Sequence, residues 1–171
     1  MVKPLATVLD MELERARRVA ELVPDPELPM VTIGELGMVR GVHRTQEGLR
    51  VELTPTYSGC PATEFIHQNV EQALTEAGIS AAAVFVRSPA WTTDWITDEG
   101  RRKLRAAGIA PPVRAAGDNL PVLQLFEERV VPCPLCDSTE TERISEHGST
   151  PCKALYRCTA CKEPFDHFKC H

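Results

Sequence analysis

The chain has no apolar run approaching the roughly 18–20 residues that cross a bilayer, which predicts a protein without a membrane span. Its first stretch, MVKPLATVLDMELERARR, is interrupted by charge too early for a secretory signal. The expectation is a soluble, cytoplasmic protein. Positive charge is not in excess: 19 Lys and Arg stand against 24 Asp and Glu, for a net charge of −5. A general nucleic-acid binder carries a basic surplus, so that class is set aside. No Ser-His-Asp set, Gly-rich phosphate loop or HExxH motif occurs, which removes three familiar routes to catalysis. There is no internal repeat and no low-complexity tract.

What the chain does have is cysteine: seven in 171 residues, six of them after residue 132. Without a secretory signal a disulfide framework is not expected. Two of the pairs are CxxC knuckles, CPLC at 133–136 and CTAC at 158–161. Four thiolates on two tight turns form a tetrahedral sulfur cage suited to zinc, although an iron–sulfur cluster also accepts four cysteines. The reading is a closed zinc ribbon held by Cys133, Cys136, Cys158 and Cys161, in a segment of about 40 residues that buries too little apolar area to fold unaided. No thioredoxin-like unit surrounds either knuckle, so a redox pair is the weaker reading. Cys152, Cys170, His147, His167 and His171 lie nearby in sequence. Cys152, Cys170 and His171 are candidates for a second metal site, against the plainer reading of packed thiols and solvated histidines. From 133 to 171 there are five Lys or Arg and six Asp or Glu, a balance that offers phosphate little attraction and favours docking to protein.

Ahead of that tail, periodicity predicts an α+β domain. Leu5, Leu9, Leu13, Ala16, Val19, Ala20 and Val23 repeat at helical spacing, and VPDPELP stops the helix. Residues 38–43 and 49–54 read as strands, with TQEG as the turn between them. A second helix is expected over 62–77, with Phe65, Ile66, Val70, Ala73, Leu74 and Ala77 on its buried stripe and Gly78 as its stop. AAVFV at 82–86 reads as a short buried strand. A third helix follows, N-capped by Thr97 and ended by Gly108. The composition then changes to a Pro- and Ala-rich linker, and VLQLF (122–126) reads as a strand leading out of it.

Three places in this domain carry chemistry. In TYSGCPATEFI, Pro61 suits a first helical position, which makes Cys60 the expected N-cap, where amides and the helix dipole favour a thiolate. A buried, inert thiol is the alternative. In PDPELP, Asp25 and Glu27 stand two apart, so an extended chain points both to one side; they bind metal, accept backbone amides or cap a turn. Trp91 and Trp95 precede Arg101, Arg102, Lys103 and Arg105, which read as a core anchor with a solvated basic face or as a docking surface for an acidic partner.

The run DPELPMVTIGELGMVRGV, then LTPTYSGCP, then a tryptophan-bearing segment resembles the SufT-like family of iron–sulfur cluster assembly domains over about residues 5–108. The family's Asp-Pro-Glu, Leu-Gly and Gly-Cys-Pro correspond here to Asp25, Pro26 and Glu27, to Leu36 and Gly37, and to Gly59, Cys60 and Pro61. The resemblance implies that Cys60 handles iron or a cluster. With the cysteine-rich tail, nearly the whole chain resembles the PaaD-like proteins that accompany the multicomponent 1,2-phenylacetyl-CoA epoxidase of bacterial phenylacetate degradation. That enzyme uses a di-iron oxygenase component and a reductase with flavin and a [2Fe–2S] cluster. The likeness implies an accessory or maturation factor rather than an enzyme, assisting iron or cluster delivery to the reductase or oxygenase component. The alternatives are a direct epoxidase subunit in turnover or electron transfer, and a zinc-ribbon adaptor with an inert Cys60. One cysteine per chain cannot fill four cluster positions, so a homodimer or a site shared with the client is required. The expected architecture is a SufT-like assembly domain at 1–108, with a three-stranded sheet covered by helices, then a linker at 109–130 and a zinc ribbon at 131–171. The cofactors expected are zinc and a transient iron–sulfur cluster.

Overall fold

The computed structural model describes residues 5–57, 59–112 and 130–169. The chain divides into two compact units at Trp91/Thr92. The boundary expected from sequence falls later, at 108/109, after the third helix. Residues 113–129 of the expected linker, including the strand read at 122–126, lie outside the described residues.

The first unit runs α1 (Leu5–Glu21), β1 (Val39–Thr45), β2 (Gly48–Leu53), α2 (Thr63–Glu76) and β3 (Ala81–Phe85). The sheet order is β1-β2-β3, as expected of a three-stranded sheet. β1 and β2 form an antiparallel hairpin, whose turn is closed by Thr45 Oγ1 donating to the Gly48 carbonyl at 3.0 Å. β3 is parallel to β2 and is reached through α2, which supplies the helical crossover that parallel pairing needs. On β2 the alternation is plain: Leu49, Val51 and Leu53 are buried and Arg50 is exposed. Ile66, Val70 and Leu74 of α2, four residues apart, are buried with Ala16 and Ala20 of α1. Phe65, expected on the buried stripe, is 63% exposed. It sits one position, about 100° of helical turn, from the Ile66 line and misses the core. β3 is also less buried than expected, with only Ala83 fully covered. Gly78 closes α2 at φ 68°, its amide bonding to Thr75 O and that of Ile79 to Leu74 O, both at 2.9 Å; this is the paired termination that glycine permits.

Between α1 and β1 the chain packs as a compact loop rather than an extended rod. Leu28, Val31, Ile33, Leu36 and Met38 are all about 1% exposed or less. Trp91 is the anchor the sequence suggested: it is 6% exposed, and its indole N–H donates to Leu36 O at 2.8 Å.

The second unit holds a 3-10 turn (Thr93–Trp95), α3 (Asp98–Ala106), β4 (Ile109–Ala110), β5 (Thr141–Ser145), β6 (Lys153–Cys158) and β7 (Pro164–Phe168). Its sheet order is β4-β7-β6-β5. β4, in the stretch read as linker, pairs in parallel with β7. Thr97 N-caps α3 as predicted, accepting the Gly100 amide at 3.0 Å. The basic run on α3 finds partners within its own unit, with the side chains of Arg102 and Arg105 exposed in theirs. Arg101 donates to the carbonyls of Thr93 and Pro112, Arg102 pairs with Glu99, and Arg105 pairs with Asp137.

Trp91→Phe removes the indole donor and leaves the buried Leu36 carbonyl unpaired. The expected loss is about 1–3 kcal/mol of unfolding free energy, measured as a lower denaturant midpoint at unchanged slope.

Candidate functional site

Two groups of side chains carry chemistry, one in each unit. In the first unit the chain leaves β2 through Thr54-Pro55-Thr56-Tyr57 and reaches Cys60 in a turn: the Cys60 amide donates to Tyr57 O at 3.1 Å, and Thr63 Oγ1 donates to Cys60 O at 3.1 Å. α2 begins at Thr63, with Ala62 at the capping position in helical φ and ψ and no side-chain cap. Cys60 is therefore not the N-cap, and Pro61 is not the first helical residue. The Thr63 hydroxyl reaches back to the Cys60 carbonyl, and this closes a turn before the helix proper. Gly59 leaves room for an aromatic side chain: a Cβ there would stand 3.1 Å from two ring carbons and from the hydroxyl of Tyr57.

Asp25 is only 8% exposed. Its Oδ1 accepts the amides of Glu27 and Leu28, each at 2.9 Å, while its own amide bonds to Val31 O at 3.0 Å. PDPELP is thus a turn organised around a buried carboxylate, and one of the roles foreseen for Asp25, accepting backbone amides, is realised. Glu27 is partly exposed. Both carboxylates act on Cys60. Burial pushes its thiol above the ordinary value, the Ala62 amide pulls the other way, and the charges of Glu27 and then Asp25 raise it further. The sequence leads one to expect an ionised thiol at a helix mouth; the structure holds a partly exposed thiol whose surroundings, burial first, push its pKa up.

Thr54 is not singled out by the sequence. It is 2% exposed and its hydroxyl has no hydrogen-bond partner. Strand alternation puts it on the side of the more exposed Arg50 and Glu52. Its burial at the end of β2 breaks that alternation, so periodicity carries no sign of it.

In the second unit, the sulfur atoms of Cys133, Cys136, Cys158 and Cys161 all lie within 4.8 Å of one another. Cys133 to Cys161 is 3.8 Å and Cys136 to Cys158 is 3.6 Å. A tetrahedron with metal–sulfur bonds of about 2.3 Å has edges of about 3.8 Å, so the four thiols fit a single ion. Thiolates on separate irons of a cluster stand further apart. Cys133 and Cys158 have no exposed surface and form a small core with Ala110, Val131 and Phe165. The Cys161 amide points at the Cys158 sulfur at 3.4 Å and is the main reason that thiol is lowered to about 6; burial opposes it and the Ala160 amide helps. At Cys136 the Ser138 amide pulls down, but desolvation and the three neighbouring thiols win and push it up to about 12. Directly after each knuckle stands a residue in left-handed conformation, Asp137 at φ 63° and Lys162 at φ 70°.

The remaining candidates are scattered. Cys152 is 6% exposed, 3.0 Å from Thr150 Oγ1. Cys170 and His171 lie outside the described residues. His147 is exposed. His167 has its Nδ1 3.1 Å from the Ala110 carbonyl and its ring edge-on to Tyr156, and burial lowers its pKa. Among the described residues, the four cysteines are the only group of three or more His, Cys, Asp or Glu gathered closely enough to hold an ion. No helix among them is long and apolar enough to cross a membrane.

If Glu27 and Asp25 raise the Cys60 thiol by charge, then Glu27→Gln lowers its pKa. At fixed pH near neutrality, Cys60 alkylates faster in that variant than in the unaltered chain, with peptide-resolved mass spectrometry as the readout.

Residues 6–84 match the family described as iron-sulfur cluster assembly protein, and residues 118–169 match the PaaD zinc beta ribbon domain. The chain is 47% identical over 167 residues to a protein of Escherichia coli (strain K12) that is named as the D subunit of a "putative 1,2-phenylacetyl-CoA epoxidase", covering 97% of this chain and 98% of that one. The crystal structure of a domain of unknown function, DUF59, from Bacillus anthracis superposes with a TM-score of 0.53 at 24% identity, covering 58% of this chain and 96% of that one. The solution structure of Rv1466 from Mycobacterium tuberculosis, a protein associated with [Fe-S] complex assembly and repair, is 34% identical, with a TM-score of 0.32, covering 63% of this chain and 92% of that one. The chain belongs to the PaaD family, in which an iron–sulfur cluster assembly domain is followed by a zinc β-ribbon.

Proposed function

We propose that this protein is a maturation factor for the multicomponent 1,2-phenylacetyl-CoA epoxidase, working in the cytoplasm and passing iron or a nascent iron–sulfur cluster to the reductase or the oxygenase component. The observation that carries this reading is a half-buried Cys60 sulfur that feels the charges of both Glu27 and Asp25. A partly exposed sulfur in the negative field of two carboxylates attracts a cation, although that field disfavours the bare thiolate. Binding iron displaces the thiol proton, and the carboxylate charge then offsets that of the metal. The cargo is held at an open site, not a cage, which suits release. Further ligands come from the client's cysteines or from Cys60 of a second copy. Cys133, Cys136, Cys158 and Cys161 hold zinc, which cross-links the two knuckles. The ribbon it stabilises is the surface that docks the client.

A second reading rests on the name of the E. coli relative, which calls that protein a subunit: the chain takes part directly in turnover or electron transfer. A third is an adaptor in which Cys60 is inert. The test is to produce the reductase and oxygenase in cells that carry the unaltered chain, no chain, or Cys60→Ser, and to assay iron and sulfide in each purified component. Client loading falls severalfold without the chain and with Cys60→Ser, and fully loaded components then epoxidise without it. Unchanged loading with Cys60→Ser favours the adaptor. A need for the chain with fully loaded components favours direct participation.

Metal analysis of the purified chain gives one zinc per molecule. Cys158→Ser removes most of it, and Cys60→Ser leaves it in place.

A further inference from the structure

β3 is an edge strand, and edge strands invite pairing with other chains. Its backbone alternates between two directions. The Leu49 amide bonds to Ser80 O and the Val86 amide bonds to Leu53 O, so residues 80 and 86 face β2. With a period of two, Ala82 and Val84 face β2 as well, and Ala81, Ala83 and Phe85 face outward. Ala83 is the middle one of those three. Its outward groups are not open. The carbonyl can only accept, so His67 Nε2, 2.9 Å away, carries the proton and donates to it. The Ala83 amide donates to Glu71 Oε1 at 3.2 Å. His67 and Glu71 stand one turn apart on α2, with Nε2 and Oε1 separated by 3.6 Å. Together they present one donor and one acceptor to one residue of β3, as a neighbouring strand would. Ala83 is accordingly 3% exposed, although it lies on a sheet edge.

We infer that the His67–Glu71 pair is a surrogate strand that closes the outer edge of β3 against pairing with β3 of a second copy. The β3 edge is self-complementary, since two such edges meet antiparallel about a twofold axis and exchange the groups of residues 81, 83 and 85. Blocking the central residue leaves two separated outward positions, too few for a continuous ladder. This inference is independent of the metal chemistry. If contacts between copies of this chain occur in its normal work, they do not run through this edge.

The test is the mass of the full chain in solution by light scattering across a concentration series. His67→Ala with Glu71→Ala frees both Ala83 groups, and the mass rises about twofold above that of the unaltered chain at equal concentration. Glu71→Gln keeps an oxygen acceptor and leaves the mass unchanged. Adding Ala83→Pro to the double variant deletes the freed donor on a strand edge that tolerates proline, and the extra association disappears. Should the double variant be too unstable to size, His67→Ser with Glu71→Ser frees the same two Ala83 groups, since both hydroxyls are too short to reach β3. A folded variant with the mass of the unaltered chain, or association that survives Ala83→Pro, overturns the inference.

Discussion

The first unit depends on a buried negative charge. Asp25 would be costly to take out of water unless its oxygens were bonded, and the amides of Glu27 and Leu28 meet that demand at 2.9 Å. Satisfying the carboxylate folds a proline-rich stretch into a turn. That turn carries Leu28 and Val31 into the core and leaves Glu27 partly exposed. The same turn puts two negative charges within reach of Cys60, which sits 35 residues later at the end of an unrelated loop. Loop packing and the raised pKa of the Cys60 thiol are therefore one arrangement. A change that loosens the turn alters both.

The second unit solves a different problem. Its buried apolar residues are few, and sulfur stands in for hydrocarbon: Cys133 and Cys158 are core residues as well as candidate ligands, packed with Ala110, Val131 and Phe165. The amide of Cys161 stabilises negative charge on Cys158, the Ala160 amide adds to it, and the thiols of Cys161 and Cys136 support it as hydrogen-bond donors. Four thiols this close are poorly suited to ionising together without a cation, so the packing and the metal chemistry call for the same occupant.

Much of this was legible in the sequence. The alternation of Leu49, Val51 and Leu53, the Thr97 cap, the Gly78 stop and the two knuckles state their structure through local rules that no distant contact overrides. The failures have a common cause. Phe65 and Ile66 are adjacent apolar residues on one helix, and only the packing of the whole unit decides which faces in. Cys60 lies beside a proline that reads as a helix start, yet the Thr63 hydroxyl, bonded to the Cys60 carbonyl, moves the start two residues on. β4 is two residues long and is a strand only because β7 lies beside it. The charge coupling of Asp25 and Glu27 to Cys60 left no trace in spacing; the resemblance marked all three residues as family motifs without bringing them together.

The raised pKa of the Cys60 thiol has a consequence for its survival. Peroxide and related oxidants attack the thiolate form of cysteine, and the path from sulfenic to sulfinic acid ends in irreversible loss of the sulfur as a ligand. A thiol held neutral by burial and by two carboxylates resists that damage while idle. A sulfur so placed rests in its least oxidisable form.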